Sequence, residues 1–426
     1  MIHKDVIRQV LLDNRREVER HEIVARELTL DDRSNHVLIG ARRAGKSYML
    51  YRQMQLMLAS GKTWDDMLYV NFEDERLSGM ETMDLNLLLE VHGSLSAERP
   101  VLFLDELQNV PGWDKFARRL ADSGYRAFIT GSNARMLSSD VATTLGGRYV
   151  SSEVYPYSFR EFLRANGVAY DRQTAYSTEG RAAIERMFAV YFRFGGFPEC
   201  AVNPSKRDYL MSVYQKTYLG DIAARNRIHN TFALRLLFRK LAESVGEPVS
   251  FTRLVNVVSS VGGRIGKATL INYMDYSNDA FLTFPIHNIA DNLTARATTP
   301  KYYFIDNGII SLLALDVETS LLENMVAIEL LRRYGTDGRV FFYRHSAEVD
   351  FYVPDDGLAI QVCYSPHKSD ETWRRETSSL ISISKRLACK RLLMLTYNDE
   401  ESIEKVGGRD IEVLPMWQWL LETTCE

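Results

Sequence analysis

The sequence predicts an α/β fold: a parallel sheet in the first third of the chain, a helical middle, and a second α/β region at the end. Three observations predict it. Short, nearly continuous apolar runs alternate with helical patterns between Val37 and Tyr155, as expected of strands covered by helices on both faces. The first of those runs leads straight into Gly40-Ala41-Arg42-Arg43-Ala44-Gly45-Lys46-Ser47, and a helical pattern follows from Tyr48. Strand patterns then return after Lys301, beyond a long helical stretch.

Residues 4–30 read as one or two helices, with Ile7, Val10 and Leu11 on one face at i, i+3, i+4 spacing. The charged stretch Asn14 to Glu22 reads first as a solvated face. A place beside a nucleotide base for Arg15 or Arg16 is the less favoured reading.

Val37–Ile39 is the first strand, and the spacing G-x-x-x-x-G-K-S after it fits a phosphate-binding loop without a gap. Glycines let the backbone turn and approach phosphates with no Cβ in the way. Backbone N–H groups and the helix N-terminus present partial positive charge. Lys46 is expected to reach the β- and γ-phosphates, and the Ser47 hydroxyl to hold Mg²⁺. Gly40, Ala41, Arg42, Arg43, Ala44, Gly45, Lys46, Ser47 and Tyr48 are thus the candidate ATP-binding residues. Arg42 and Arg43 add two charges beside the phosphates, so at least one is expected to face away, toward a helical lid further along the chain or a partner.

Met67–Phe72, Val101–Leu104, Arg126–Thr130 and Arg148–Val154 are the further strands, with helices over Lys46–Ala59, Met83–His92 and Trp113–Ser123. Ligands of such sheets lie at the C-terminal strand ends. The third strand ends in Asp105-Glu106: Asp105 would support Mg²⁺ through its water shell, and Glu106 would orient and activate water. The fourth ends Thr130-Gly131-Ser132-Asn133, where Ser132 or Asn133 would sense the γ-phosphate or cap a helix.

From Gly40 to Phe162 the chain resembles a bacterial and archaeal group within the AAA+ ATPases, similar to the STAND-like switch ATPases. The resemblance rests on the phosphate loop, Phe-Leu-Asp-Glu-Leu-Gln (103–108), Thr-Gly-Ser-Asn (130–133), Leu-Gly-Gly-Arg (145–148) and Ser-Phe-Arg-Glu-Phe-Leu (158–163). It implies that Arg148 reaches the γ-phosphate of a neighbouring subunit; the alternative is a structural ion pair. It also implies that Gly196 and Pro198, in Gly196-Phe197-Pro198, contact the adenine side from a helical lid.

The resemblance sets the rest of the architecture: an ATPase domain over 1–156, a helical lid over 157–230, a winged helix-turn-helix over 231–300 and a nuclease-like α/β domain of PD-(D/E)xK type over 301–426. Ser158-x-x-Glu161 is a capping box that starts a helix. Residues 180–194 and 205–225 continue as helices. Phe232–Val245, Phe251–Ser259 capped by Ser250, and Lys267–Ala280 are the winged-helix elements, with Phe281–Asn288 the start of a wing. Arg253, Arg264 and Lys267 make only a thin phosphate footprint, so packing against protein is favoured over DNA.

In the last domain Arg339–Tyr343, Val349–Val353, Leu358–Val362 and Arg391–Thr396 read as strands, and Ser369–Leu387 as a helix. Its nuclease-like residues would be Glu323, Glu348-Val349-Asp350 and Gln361-Val362-Cys363. A working nuclease wants an acid and a lysine at the third element; Gln361 and Cys363 are neither. Ser320-x-x-Glu323 also reads as a capping box. His345 and Lys368 lie nearby in sequence and read as surface contacts.

Composition limits the partners. The net charge of −4 provides no basic field for nucleic acid. Cys200, Cys363, Cys389 and Cys425 form no CxxC pair, which argues for reduced thiols. No apolar stretch is long enough to span a membrane, and the reading is cytoplasmic. The expected function is a Mg²⁺-dependent ATPase switch moving the lid, winged helix and C-terminal domain. The alternatives are a DNA-processing ATPase with a nuclease, or a nucleotide-bound regulator of DNA or protein with little turnover. DNA at the winged helix, a protein partner and a second copy of the chain all stay open as partners.

Overall fold

Five parallel strands form the first sheet: β1 (Asn35–Ile39), β2 (Met67–Asn71), β3 (Val101–Asp105), β4 (Ala127–Gly131) and β5 (Tyr149–Glu153), in the order β2-β3-β4-β1-β5. The computed structural model describes residues 2–134, 143–292, 296, 299–336, 338–364 and 371–422. The chain divides into two units, Met1–Tyr155 with Asp279–Phe281, and Pro156–Asn278 with Leu282–Glu426.

In the first unit, helices α1 (Lys4–Arg20), α2 (Lys46–Ala59), α3 (Leu85–Leu95) and α4 (Trp113–Asp122) cover strands whose centres are fully buried, among them Leu38, Phe103 and Phe128. The helical reading of 4–30 holds only to Arg20. Residues 21–34 contain no helix; instead Arg26 donates to the carbonyls of Ala44 (2.9 Å) and Tyr155 (2.6 Å). Arg15 donates to the Trp64 carbonyl and lies 5.8 Å from its ring, in a structural contact. Helix α3 starts two residues later than its apolar pattern predicts, because Asp84 precedes it as N-cap and Met83 is left exposed.

The second unit begins with α5 (Phe159–Ala165), where Ser158 and Glu161 form the predicted capping box. Then come α6 (Thr178–Phe194), a short helix Pro198–Val202, and α7 (Lys206–Gln215), which runs on as a π-helix over Lys216–Ala224. Helices α8 (Thr231–Glu243), α9 (Phe251–Ser260, capped by Ser250) and α10 (Lys267–Asp279) follow.

An eight-stranded mixed sheet completes this unit, in the order β12-β13-β11-β10-β9-β8-β6-β7. Its strands are β6 (Thr283–Asn288), β7 (Lys301–Phe304), β8 (Phe341–Arg344), β9 (Glu348–Val353), β10 (Leu358–Cys363), β11 (Arg391–Thr396), β12 (Ser402–Val406) and β13 (Arg409–Pro415). The segment read as the start of a wing, β6, pairs antiparallel with β7 and parallel with β8, so it is a member of this sheet. Helices α11 (Asn307–Leu313), α12 (Glu318–Tyr334), α13 (Glu371–Ser384) and α14 (Met416–Leu421) accompany it.

The Ser320–Glu323 capping box does not form. Asp316 turns the chain with a left-handed φ of 54°, α12 begins at Glu318, and Glu323 is a buried interior residue. Cys200, Cys363 and Cys389 are buried and in no disulfide; Cys425 and Lys368 lie outside the described residues.

Candidate active site

Strand order brings the predicted site together. β3, β4 and β1 are neighbours and parallel, so the turn after β1, Asp105-Glu106 after β3 and Ser132-Asn133 after β4 leave the sheet from the same edge.

The loop 40–45 is shaped by two glycines. Gly40 has φ 153°, and a Cβ there would lie 2.1 Å from the Val154 carbonyl oxygen. Gly45 is left-handed at φ 99° and precedes α2 with no side-chain cap. Arg43 is also left-handed at φ 65°; a non-glycine residue held there costs of order 1 kcal/mol or more and marks a constrained loop. The first amides of α2 therefore face the loop as a ready anion seat.

Lys46 is buried. Its Nζ donates to the carbonyls of Gly40 and Ala41, both at 3.1 Å, and lies 3.5 Å from Glu106 Oε1. Arg42 pairs with Glu73 at 2.8 Å, and its charge also acts on Glu106. Tyr48, at the start of α2, contacts the His21 ring.

Asp105 is fully buried, and burial followed by the charge of Glu106 pushes its carboxyl up to about 6; hydrogen bonds from Thr130 and Ser47 and the charge of Lys46 oppose the rise. Tyr69 also donates to it at 3.2 Å. Ser47 and Asp105, the two residues expected at the metal, thus touch. Glu106 behaves oppositely. Burial works against its charge, but Lys46 and the hydrogen bonds of Gln108 and Ser132 outweigh burial and hold it below its ordinary value. Ser132 and Asn133 are both buried.

Spacing alone singled out neither Thr130 nor Gln108 for a role. The Thr130 hydroxyl donates to Asp105 and accepts the Glu106 amide, and Gln108 Nε2 donates to Glu106. Both lie inside quoted motifs, and a polar residue ending an otherwise apolar strand was the available signal.

Of the remaining predicted residues, one belongs to the first unit and two to the second. Arg148 precedes β5, whose Tyr149 is level with Asn35 at the start of β1. It therefore sits at the opposite end of the sheet from the loop, roughly 15–20 Å away at about 3.3 Å per residue. There it pairs with Asp122 and donates to the Leu145 carbonyl. Gly196 and Pro198 belong to the second unit. The Gly196 carbonyl accepts the Tyr157 amide at 2.6 Å, its own amide donates to Asp306 at 2.7 Å, and Pro198 begins the short helix.

Spacing also missed Lys301. The nuclease-like residues Glu323, Glu348 and Asp350 do come together, and they do so around its ammonium.

Over residues 32–163 the chain matches the AAA domain family, and over residues 185–321 a domain of unknown function (DUF8612). An uncharacterized protein of Methanocaldococcus jannaschii is 32% identical over 437 residues, spanning 99% of this chain and 96% of that protein. An uncharacterized protein of Haemophilus influenzae is 31% identical over 400 residues, spanning 91% and 94%. Among solved structures, the Aeropyrum pernix ORC1 protein in complex with DNA spans 77% of this chain and 94% of its own at 14% identity and a TM-score of 0.33, too low a likeness to bear on the site. The chain belongs to the family it shares with these archaeal and bacterial relatives, and its first unit has the AAA+ P-loop ATPase fold.

Proposed function

We propose that the first unit binds ATP with Mg²⁺ and hydrolyses it, and that turnover switches the second unit between two states. One observation carries this reading: Lys46, Ser47, Asp105, Glu106 and Ser132 meet at one sheet edge beside a loop that excludes a Cβ at Gly40.

The residues fit a nucleoside triphosphate. The loop amides and the N-terminus of α2 would seat the phosphates, and Lys46 would exchange the Gly40 and Ala41 carbonyls for phosphate oxygens. Ser47 and Asp105 would hold Mg²⁺, which supplies charge neutralisation at the phosphates when bound. Glu106, kept ionised, would orient water and take up its proton. Ser132 and Asn133 would report on the γ-phosphate. Arg148 can serve such a site only in a second copy of the chain, and the adenine contact of Gly196 and Pro198 is part of the same proposal.

The test is a pair of variants. Lys46→Ala should lose ATP binding. Glu106→Gln should keep binding and lose steady-state hydrolysis. Wild-type turnover in Glu106→Gln would refute the assignment of the catalytic residue, and unchanged ATP affinity in Lys46→Ala would refute the binding site.

A further inference from the structure

Lys301 opens β7 with its side chain 1% exposed, and acid side chains surround its nitrogen: Glu323 Oε1 at 3.3 Å, Glu348 Oε1 at 3.4 Å and Asp350 Oδ1 at 3.7 Å. The acids come from α12 and β9. A lone ammonium so deep would be driven to lose its proton. Here three acid side chains lie within ion-pair distance of it, the furthest at 3.7 Å.

The shell around the cluster is closed on every side but that of Glu348. Tyr303 donates to Glu323 at 2.7 Å, and the Phe342 ring centre lies 5.2 Å from the ammonium. Asp350 accepts the Val362 amide at 2.9 Å. Gln361 accepts the Asp350 amide at 3.4 Å and donates to Glu376. A Cβ on Gly246 would lie 2.4 Å from Glu323 Oε2, so the backbone closes against that carboxylate. Only Glu348, at 39% side-chain exposure, opens toward solvent.

Oxygen donors converging from a helix and a strand are the ligand type of hard divalent cations. Yet among the described residues no group of three or more His, Cys, Asp or Glu is arranged to hold a metal ion. The cation at the centre is the lysine itself. With 1% exposure its ammonium faces these acids and not solvent.

We propose that the Lys301 ammonium is the resident cation of this cluster, and that the second unit gains a divalent-cation site only when that ammonium is removed. The inference is independent of the ATPase reading, because every group in it lies in the second unit.

The experiment is Mn²⁺ binding, followed by electron paramagnetic resonance on the nucleotide-free full-length protein. Wild type and Asp350→Asn should bind the same amount of Mn²⁺. Lys301→Met should bind one more equivalent, lost again in Lys301→Met/Asp350→Asn. Wild-type Mn²⁺ binding that Asp350→Asn abolishes would overturn the proposal, as would a folded Lys301→Met with no added site. If Lys301→Met fails to fold, the proposal requires that Mn²⁺ present during refolding restore it; no rescue would overturn it too.

Discussion

The Glu106 amide donates to the Thr130 hydroxyl oxygen at 2.9 Å, and that hydroxyl donates in turn to Asp105. One side chain at the end of β4 thus fixes both acids at the end of β3. It does so while Glu106 holds a left-handed backbone, φ 54°. Thr130 is therefore a positioning residue. Thr130→Val keeps the shape and removes both bonds, leaving a buried carboxyl and a buried amide short of a partner. The expected cost is about 2–3 kcal/mol in a urea melt, with a larger proportional loss in ATP turnover than in ATP affinity.

Gly40→Ala places a methyl 2.1 Å from the Val154 carbonyl oxygen, at a φ of 153° that side chains rarely adopt. The loop must move off β5. We expect at least about a tenfold loss of ATP affinity, or 1.4 kcal/mol, read by nucleotide titration. Unfolding should shift less, since the loop can deform.

The Asp105 carboxyl is raised from 3.8 to about 6. Its folded form binds a proton more tightly than the unfolded chain, so its contribution to stability is present below the unfolded value and is lost as pH rises through 6. That rise corresponds to about 3 kcal/mol across pH 4–7. Glu106 is shifted the other way and acts at lower pH. Urea melts over that range should show wild type falling relative to Asp105→Asn as pH increases. Parallel pH profiles would show that Asp105 ionises freely in the fold.

Arg148→Ala should leave ATP affinity unchanged and lower hydrolysis, because Arg148 lies at the far end of its own sheet. Mixing it with Lys46→Ala should recover activity if the arginine acts on a second copy. A hydrolysis rate equal to wild type at every protein concentration would make the Asp122 pair its whole role.

Legibility followed locality. The phosphate loop is contiguous, and its glycines, lysine and serine carry their geometry in eight residues. The strands around it, and the acids at their ends, were readable because near-continuous apolar runs mark buried parallel strands. The Ser158 and Ser250 caps were readable for the same reason, as short-range hydrogen bonds. The Ser320–Glu323 pair had an identical pattern and failed, because the preceding turn at Asp316 started α12 earlier and Glu323 was taken into the interior.

The sequence alone therefore determined the ATP-type loop, the parallel α/β class of the first unit and the polar strand ends. Tertiary structure decided what those ends face. Strand order β3-β4-β1 joins Thr130 to Asp105 and Glu106, and parallel register sends Arg148 to the opposite edge. Lys301 meets Glu323 and Asp350 across 22 and 49 residues of chain through sheet packing. Periodicity records which face of an element is buried; it holds no information on which distant element covers that face, and the charges that meet there are set by that choice.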